Sequence, residues 1–558
     1  MNIPTAVYAS SSRDTSCIAR LPNELLEKVF ICLREELLYG EPTYGCRTSH
    51  SWASVCHVCR HWNQVATQCS AFWSHIISVP WHDSSATYME EMLRRSKQHP
   101  LSIHVSSQSR ATCLELLETY DACQRLAVAT FSLNYNIPVN ARYQELVKRH
   151  ASLDAPALQE LTLTYDWPRL GALGPHQPKR RIPFSLGNLP RIWRLNVSRA
   201  PLSEIQFFFR STITHLSMTH LLERIPTERL FDVLNAMPLL EDLMLQNALS
   251  SFNERNAQKH CFNYLRRLSL TDSTESIANY LLCFSFPPSS LRFVEIACEP
   301  LTCDKWQDRT ILAKRLPAIA DQFRGGLAEP LRSFSIRHRE LPNSQIEISG
   351  WSAPTFPTYQ AMISPSINLK MLECDGVDPV QLMTTVLDEV SLKDVRTLSF
   401  GNLDLPHSLK ERRTRRPPFA LSLKEHGEVF CRFSSVENLV VDLDIGKHLR
   451  DPLMIKYPLD WDEIRLKLPG KYENEELETT LNARNDGLDR IKSSEGRCFL
   501  FPSLKTLTIQ WQQNNPRLRD ETIDGLRKRF MEVCMVRDHE FELRLDPLPG
   551  TVRDFDFW

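Results

Sequence analysis

The sequence predicts an α/β protein: a small N-terminal helical unit followed by an irregular solenoid built on a parallel sheet. Three observations carry this reading. Apolar residues recur at helical spacing through residues 21–77. A segment of the form L-x-x-L-x-L then returns, with substitutions, from Leu158 to Ile509. Amphipathic helices lie between its copies, so strand and helix alternate in series. The boundaries follow: a disordered N-terminus over 1–17, the helical unit over 18–78, a helical connector and first strand over 79–122, and the repeats over 123–558.

In LPNELLEKVFICL, Leu21, Leu25, Leu26, Val29, Phe30 and Leu33 share helical spacing. Pro22 suits the first helical position, and Glu24 lies where the helix dipole favours an anion. A loop marked by Gly40, Pro42 and Gly45 follows. In SVCHVCRHWNQVA, a continuous helix puts Trp52, Val55, Cys56, Cys59, Trp62, Ala66 and Cys69 on one apolar face, widened by Val58 and Val65. His57 and His61 then point away from both cysteines. Zinc held by Cys56, Cys59 and His61 would need that helix to break, and no Gly or Pro is there to break it. The cysteines are therefore expected to be core residues. SAFWSHI adds Phe72, Trp73 and Ile76.

LPNELLEKVF…VCHVCRHWNQVA…FW resembles an F-box of the large fungal families. It has the Leu-Pro-x-Glu-Leu-Leu opening, Arg60 and Trp62 in the Cys-Arg-x-Trp places, and a Trp beyond them. Two departures stand out: a longer loop between the first two helices, and extra histidines in the second. The resemblance implies docking onto the Skp-type adaptor of a cullin–RING ubiquitin ligase. The residues it assigns to that contact are Leu21, Pro22, Glu24, Leu25, Leu26, Val29, Phe30, Val55, Val58, Trp62 and Trp73.

QHPLSIHVSS, alternating Leu101, Ile103 and Val105, reads as the first strand. SATYMEEMLRRSKQ before it reads as a helix. Cys123, Leu126 and Val128 make a weak first copy of the recurring segment. Stronger copies start at Leu158, Ile192, Ile213, Leu240, Leu265, Leu291, Leu331, Leu369, Val395, Val436 and Leu504. The starts from 192 to 291 step by about 25 residues, the leucine-rich-repeat period, and later steps lengthen through insertions. The array resembles the degenerate leucine-rich repeats that follow many F-boxes. The asparagine that usually follows each strand is missing; Asp166, Ala200, Leu221, Ala248 and Ser273 stand there. An irregular arc is therefore expected. A propeller is a poor rival, since Trp461-Asp462 is the one Trp-Asp pair.

Strand alternation places Thr162, Asn196, Ser217, Met244, Ser269, Glu295, Ser335, Glu373, Ser399, Val440 and Thr508 in one outward row. Arg194, His215, Asp242, Arg267 and Phe293 make the row beside it. Thr162, Arg194, Asn196, His215, Ser217, Asp242, Met244, Arg267, Ser269 and Glu295 are the candidate residues for reading a protein target.

Lys and Arg number 66 against 67 Asp and Glu, which argues against a nucleic-acid partner for the chain as a whole. The basic clusters at 179–181 and 410–418 sit in Pro-rich loops and can act as import signals or as solvated loops. No secretory leader and no membrane-length apolar run is found, and the scattered cysteines suit a reducing compartment. The expectation is a soluble protein of the cytoplasm or nucleus. No Walker, GxGxxG, GxSxG or HExxH motif occurs, so catalytic, metal and cofactor residues are all expected to be absent. The function implied is that of a non-catalytic substrate receptor of a Skp–cullin–F-box ubiquitin ligase. The alternative is an F-box scaffold with a non-degradative role.

Overall fold

The computed structural model describes residues 21–39, 51–78, 85–105, 110–134, 154–166, 189–250, 260–285, 291–299, 329–339, 345–353, 365–372, 392–402, 429–442, 498–512 and 541–548, with a few shorter stretches between them. The N-terminus 1–17, the loop 40–50, both basic clusters and Trp461-Asp462 lie outside the described residues. The chain is mixed α/β and divides into two compact units, Met1–Glu223 and Arg224–Trp558.

The first unit opens with α1 (Asn23–Tyr39), a 3-10 turn (Ser51–His57), α2 (Arg60–Gln68) and the single turn α3 (Ser70–Trp73). Pro22 is the cap of α1 rather than its first residue: its carbonyl accepts from Leu25 and Leu26 at 3.0 and 3.1 Å. Leu26, Phe30 and Arg34, four residues apart, form the buried stripe of α1. Phe30 meets Trp62 at 5.2 Å and Phe72 at 5.9 Å between ring centroids. Trp52 packs edge-on to Phe72 at 4.7 Å. The Trp73 indole N–H donates to the Ala66 carbonyl at 2.6 Å, satisfying the exit of α2.

The continuous helix expected across 54–66 does not form. It breaks at Val58–Cys59 without Gly or Pro, because Cys59 is extended (φ −160°, ψ 169°) and caps α2, its Sγ accepting from the Trp62 amide at 3.4 Å. The side-chain amide of Asn63 donates to the Cys56 carbonyl at 2.8 Å and closes the corner. Cys59 is exposed and Cys56 half-buried, so only Cys69 behaves as the core residue expected of all three.

The sheet begins earlier than expected. β1 (His75–Ser78) lies inside the segment assigned to the helical unit and pairs in parallel with β2 (Leu101–Val105). Helix α4 (Ser85–Arg95) crosses between them, α5 (Arg110–Thr119) follows β2, and β3 (Leu126–Asn134), β4 (Glu160–Asp166), β5 (Arg194–Ser198) and β6 (His215–Thr219) continue the parallel order. Leu158, Leu161, Leu163, Ile192, Leu195, Val197, Ile213, Leu216 and Met218 are all buried, as the recurring segment requires. The first copy differs. A bulge between Leu101 and Ser102 shifts the pairing, so Ala129 and Phe131 turn inward and Val128 does not.

In the second unit β7 (Asp242–Gln246), β9 (Arg267–Ser273) and β11 (Phe293–Glu299) run parallel in order. Two short pairs stand apart: β8 (His260–Cys261) with β10 (Phe284–Ser285), and β17 (Lys456–Tyr457) with β18 (Cys498–Phe499). The strictly serial order then fails. β12 (Ser333–Arg339), β13 (Gln345–Trp351) and β14 (Ile367–Leu372) form an antiparallel meander entered from its far side, giving the order β11-β14-β13-β12-β15. The short connection 340–344 is what an antiparallel hairpin allows and a parallel crossover does not. β15 (Thr397–Asn402), β16 (Asn438–Asp442), β19 (Thr506–Gln512) and β20 (Glu542–Leu548) complete an open, mostly parallel sheet. The pairing of Val294 with Ile367 and of Ile296 with Leu369 makes Leu369 the last inward residue of its copy, so the frame Leu369-Leu372-Cys374 is out of register.

The asparagine that the repeat resemblance would put after each strand is absent, and other contacts hold these turns. Arg199, His220 and Asn247, each just past its strand, are left-handed (φ 59°, 51° and 48°). The amides of Arg199 and Asn247 donate to Thr219 and Thr271 on the neighbouring strand at 2.8 and 2.7 Å. At the end of β9 the buried Asp272 carboxylate accepts from the amides of Leu249 and Ser273 at 3.1 and 2.8 Å. Ala200, Leu221 and Ala248 fill the asparagine's place with buried carbon.

Candidate functional site

Two kinds of surface present themselves: one face of α1 with the corner before α2, and the outward sheet rows of each unit. On α1 the two i,i+4 pairs divide cleanly. Leu26 and Phe30 are fully buried, whereas Leu25 and Val29, about 100° round the helix, stand 45% and 47% exposed. Val58, in the corner before α2, is 59% exposed. Pro22 and Glu24 are exposed, and Leu21 and Trp62 half-buried. Leu26, Phe30, Val55 and Trp73, also expected at the contact, are buried and so form no part of an exposed surface. Three large apolar side chains left in water on a unit with so little interior are the surface this domain would give a partner.

The helices also feel the first strands. The Arg95 guanidinium lies 4.3 Å over the Trp73 ring, so α4 braces α3 and β1. His75, on β1, is held neutral by burial and by the charge of Arg34, its pKa pushed down to about 4. Burial pushes the Cys56 and Cys69 thiols up.

On the sheet of the first unit, Thr162, Asn196 and Ser217 share one register, and Glu160, Arg194 and His215 the next. The Asn196 amide donates to the Thr162 hydroxyl at 3.2 Å. Arg194 lies 3.3 Å from Glu160 and 4.7 Å over Trp193, whose ring meets His215 edge-on at 5.0 Å. His104 and Thr130 extend the first row, and alternation in LSIHV was the signal for His104.

The second unit brings Met244, Ser269 and Glu295 into one register. The neighbour of Glu295 is Asn368, not Glu373, whose side chain lies outside the described residues. Ser349 follows from the antiparallel strand, then Ser335, Ser399, Val440 and Thr508. Glu295 organises the row: Asn368 and Lys370 each donate to Oε1 at 3.0 Å, and Ser269 to Oε2 at 3.3 Å. Ser349 donates to Asn368 at 3.2 Å. The Ser335 hydroxyl, in a residue 2% exposed, has no hydrogen-bond partner among the described residues. In the adjoining row Arg267 stands 3.8 Å from Asp242 and 4.6 Å over Phe293. Asn368 and Lys370 were missed because the frame was set on Leu372 and Cys374 instead of Ile367 and Leu369, and Ser349 because it lies on the antiparallel strand β13, which the recurring segment does not cover.

Among the described residues, no group of three or more His, Cys, Asp or Glu side chains converges as a metal site would, and no helix is long and apolar enough to cross a membrane. No known family model matches the chain, and no curated protein matches it.

Proposed function

We propose that this chain is a substrate receptor of a Skp–cullin–F-box ubiquitin ligase. In this reading the N-terminal helices are an F-box, and Leu25, Val29 and Val58 seat on the Skp-type adaptor. The strand–helix units behind them are degenerate leucine-rich repeats. Their outward rows, centred on Arg194, Asn196 and His215 in one unit and on Asp242, Arg267 and Glu295 in the other, hold a protein target. The receptor makes and breaks no bond; it supplies effective concentration and orientation for ubiquitin transfer by its partners.

The observation that carries the reading is the division of α1. Its Leu-Pro-x-Glu-Leu-Leu sequence buries Leu26 and leaves Leu25 and Val29 in solvent, so the motif's apolar side chains are spent on a surface as well as on a core. The test is Leu25→Asp with Val29→Asp in the full chain. Co-purification with a Skp-type adaptor should be lost while the thermal melt stays within a few degrees of the parent, since neither side chain supports the core. Undiminished adaptor capture overturns the proposal. Prolonged half-life of a captured target on the same substitution separates a degradative receptor from a scaffold.

A further inference from the structure

The corner that exposes Val58 is bracketed by Cys56 and Cys59, and the proposed docking reading makes no use of either thiol. We infer that Cys56 and Cys59 form a redox modification site, a dithiol that thiol–disulfide exchange with a small disulfide such as glutathione disulfide converts to a Cys56–Cys59 disulfide. Three features of the corner favour it. The two cysteines are separated by only two residues and straddle the junction of the 3-10 turn with α2, which Asn63 closes by donating to the Cys56 carbonyl at 2.8 Å. Cys59 is exposed, so a small oxidant reaches it first, and Cys56, half-buried, is left to react second. Cys59 also occupies the cap of α2, its Sγ accepting from the Trp62 amide at 3.4 Å, so a new bond to that sulfur acts directly on the cap.

The chemistry balances without a metal or further cofactor. The Cys59 thiolate attacks one sulfur of the small disulfide, whose S–S bond breaks and releases one thiolate. The Cys56 thiolate then attacks Cys59 Sγ in the mixed disulfide, and a second thiolate leaves. Two cysteines are oxidised, one small disulfide is reduced to two thiols, and the two protons lost from the cysteines go to the leaving groups. Once bonded to Cys56, Sγ of Cys59 is drawn from the Trp62 amide at 3.4 Å, so α2 loses its cap and Val58 its position. The effect on docking rests on the receptor reading above; the disulfide itself does not.

The experiment exposes full-length protein to glutathione disulfide and maps thiols by differential alkylation and mass spectrometry. Adaptor binding is measured before oxidation, after it, and after reduction. The expected result is a Cys56–Cys59 disulfide in the parent and a trapped glutathione adduct on Cys59 in Cys56→Ser. Adaptor binding should weaken by about fivefold, the scale of a lost helix cap, and return with reductant. Both cysteines alkylating freely after oxidation, or the parent holding only the mixed adduct, overturns the inference whatever the adaptor does. A disulfide with unchanged binding overturns its effect on docking. Reduced protein that never binds the adaptor instead counts against the receptor reading, and the alkylation map still decides the site.

Discussion

The guanidinium of Arg34 on α1 donates to the backbone carbonyl of Phe72 on α3 at 3.0 Å, and to that of Ala71 at 2.7 Å. A cation placed at the exit of a helical turn answers both the dipole and the orphan carbonyls there. Arg34 continues the Leu26–Phe30 stripe by one further turn, so apolar packing and this polar clamp act on the same face. Arg34→Ala is expected to destabilise the N-terminal helices by about 2–3 kcal/mol, because two carbonyls lose a charged donor. Chemical denaturation followed by tryptophan fluorescence would show it, since Trp52, Trp62 and Trp73 all report from this region. A loss below ~0.5 kcal/mol would mean water replaces the guanidinium freely.

Truncation should follow the position of β1 rather than the end of the helices. A fragment starting at Tyr88 loses β1 and leaves the β2 edge unpaired, with Trp73 and Ile76 gone from beneath α4. That fragment is expected to aggregate on size-exclusion chromatography. A fragment spanning Met1–Glu223 keeps β1 and the whole of the first compact unit and should give a cooperative melt. A soluble, cooperatively melting Tyr88 fragment would show that β1 is dispensable to the sheet.

Protonation of His75 should weaken the fold in mild acid. Its pKa lies near 4 in the folded state and near 6.5 when unfolded. The unfolded chain therefore binds the proton first. Stability attributable to this group is complete above pH ~6.5, falls by about 1.4 kcal/mol per pH unit below that, and levels off below pH ~4. Denaturant midpoints across that window should drop less steeply in His75→Asn than in the parent. Parallel slopes would mean the imidazole is as free to ionise as in the unfolded chain.

Ser335 should be more useful as alanine. Its hydroxyl is buried on the sheet face without a hydrogen-bond partner among the described residues, so removing it should gain about 1 kcal/mol. The denaturant midpoint of Ser335→Ala is expected to rise without a change in slope. A fall of similar size would reveal a partner for the hydroxyl in the folded protein.

Sequence periodicity by itself determined the elements and their inward residues wherever local pattern and tertiary need agree. The three-residue and two-residue steps of Leu158-Leu161-Leu163 through Leu291-Val294-Ile296 could be met only by a strand with its approach buried, and they are. The outward candidates Thr162, Asn196 and Ser217 followed from pleat alone. Tertiary structure decided the rest. Nothing local forbids a helix through Val58 and Cys59; the chain turns there because Cys59 can cap α2 and Asn63 can clasp Cys56, and each bond needs a partner seven or fewer residues away in a conformation that periodicity does not encode. Helical spacing likewise cannot say which of Leu25 and Leu26 is core, since that depends on where Phe72 and Trp62 arrive. The β12–β14 meander and the bulge beside Leu101 lie deeper still, because strand order and register are settled by which neighbours are free to pair, and inward alternation reads the same whether the neighbour runs parallel or antiparallel.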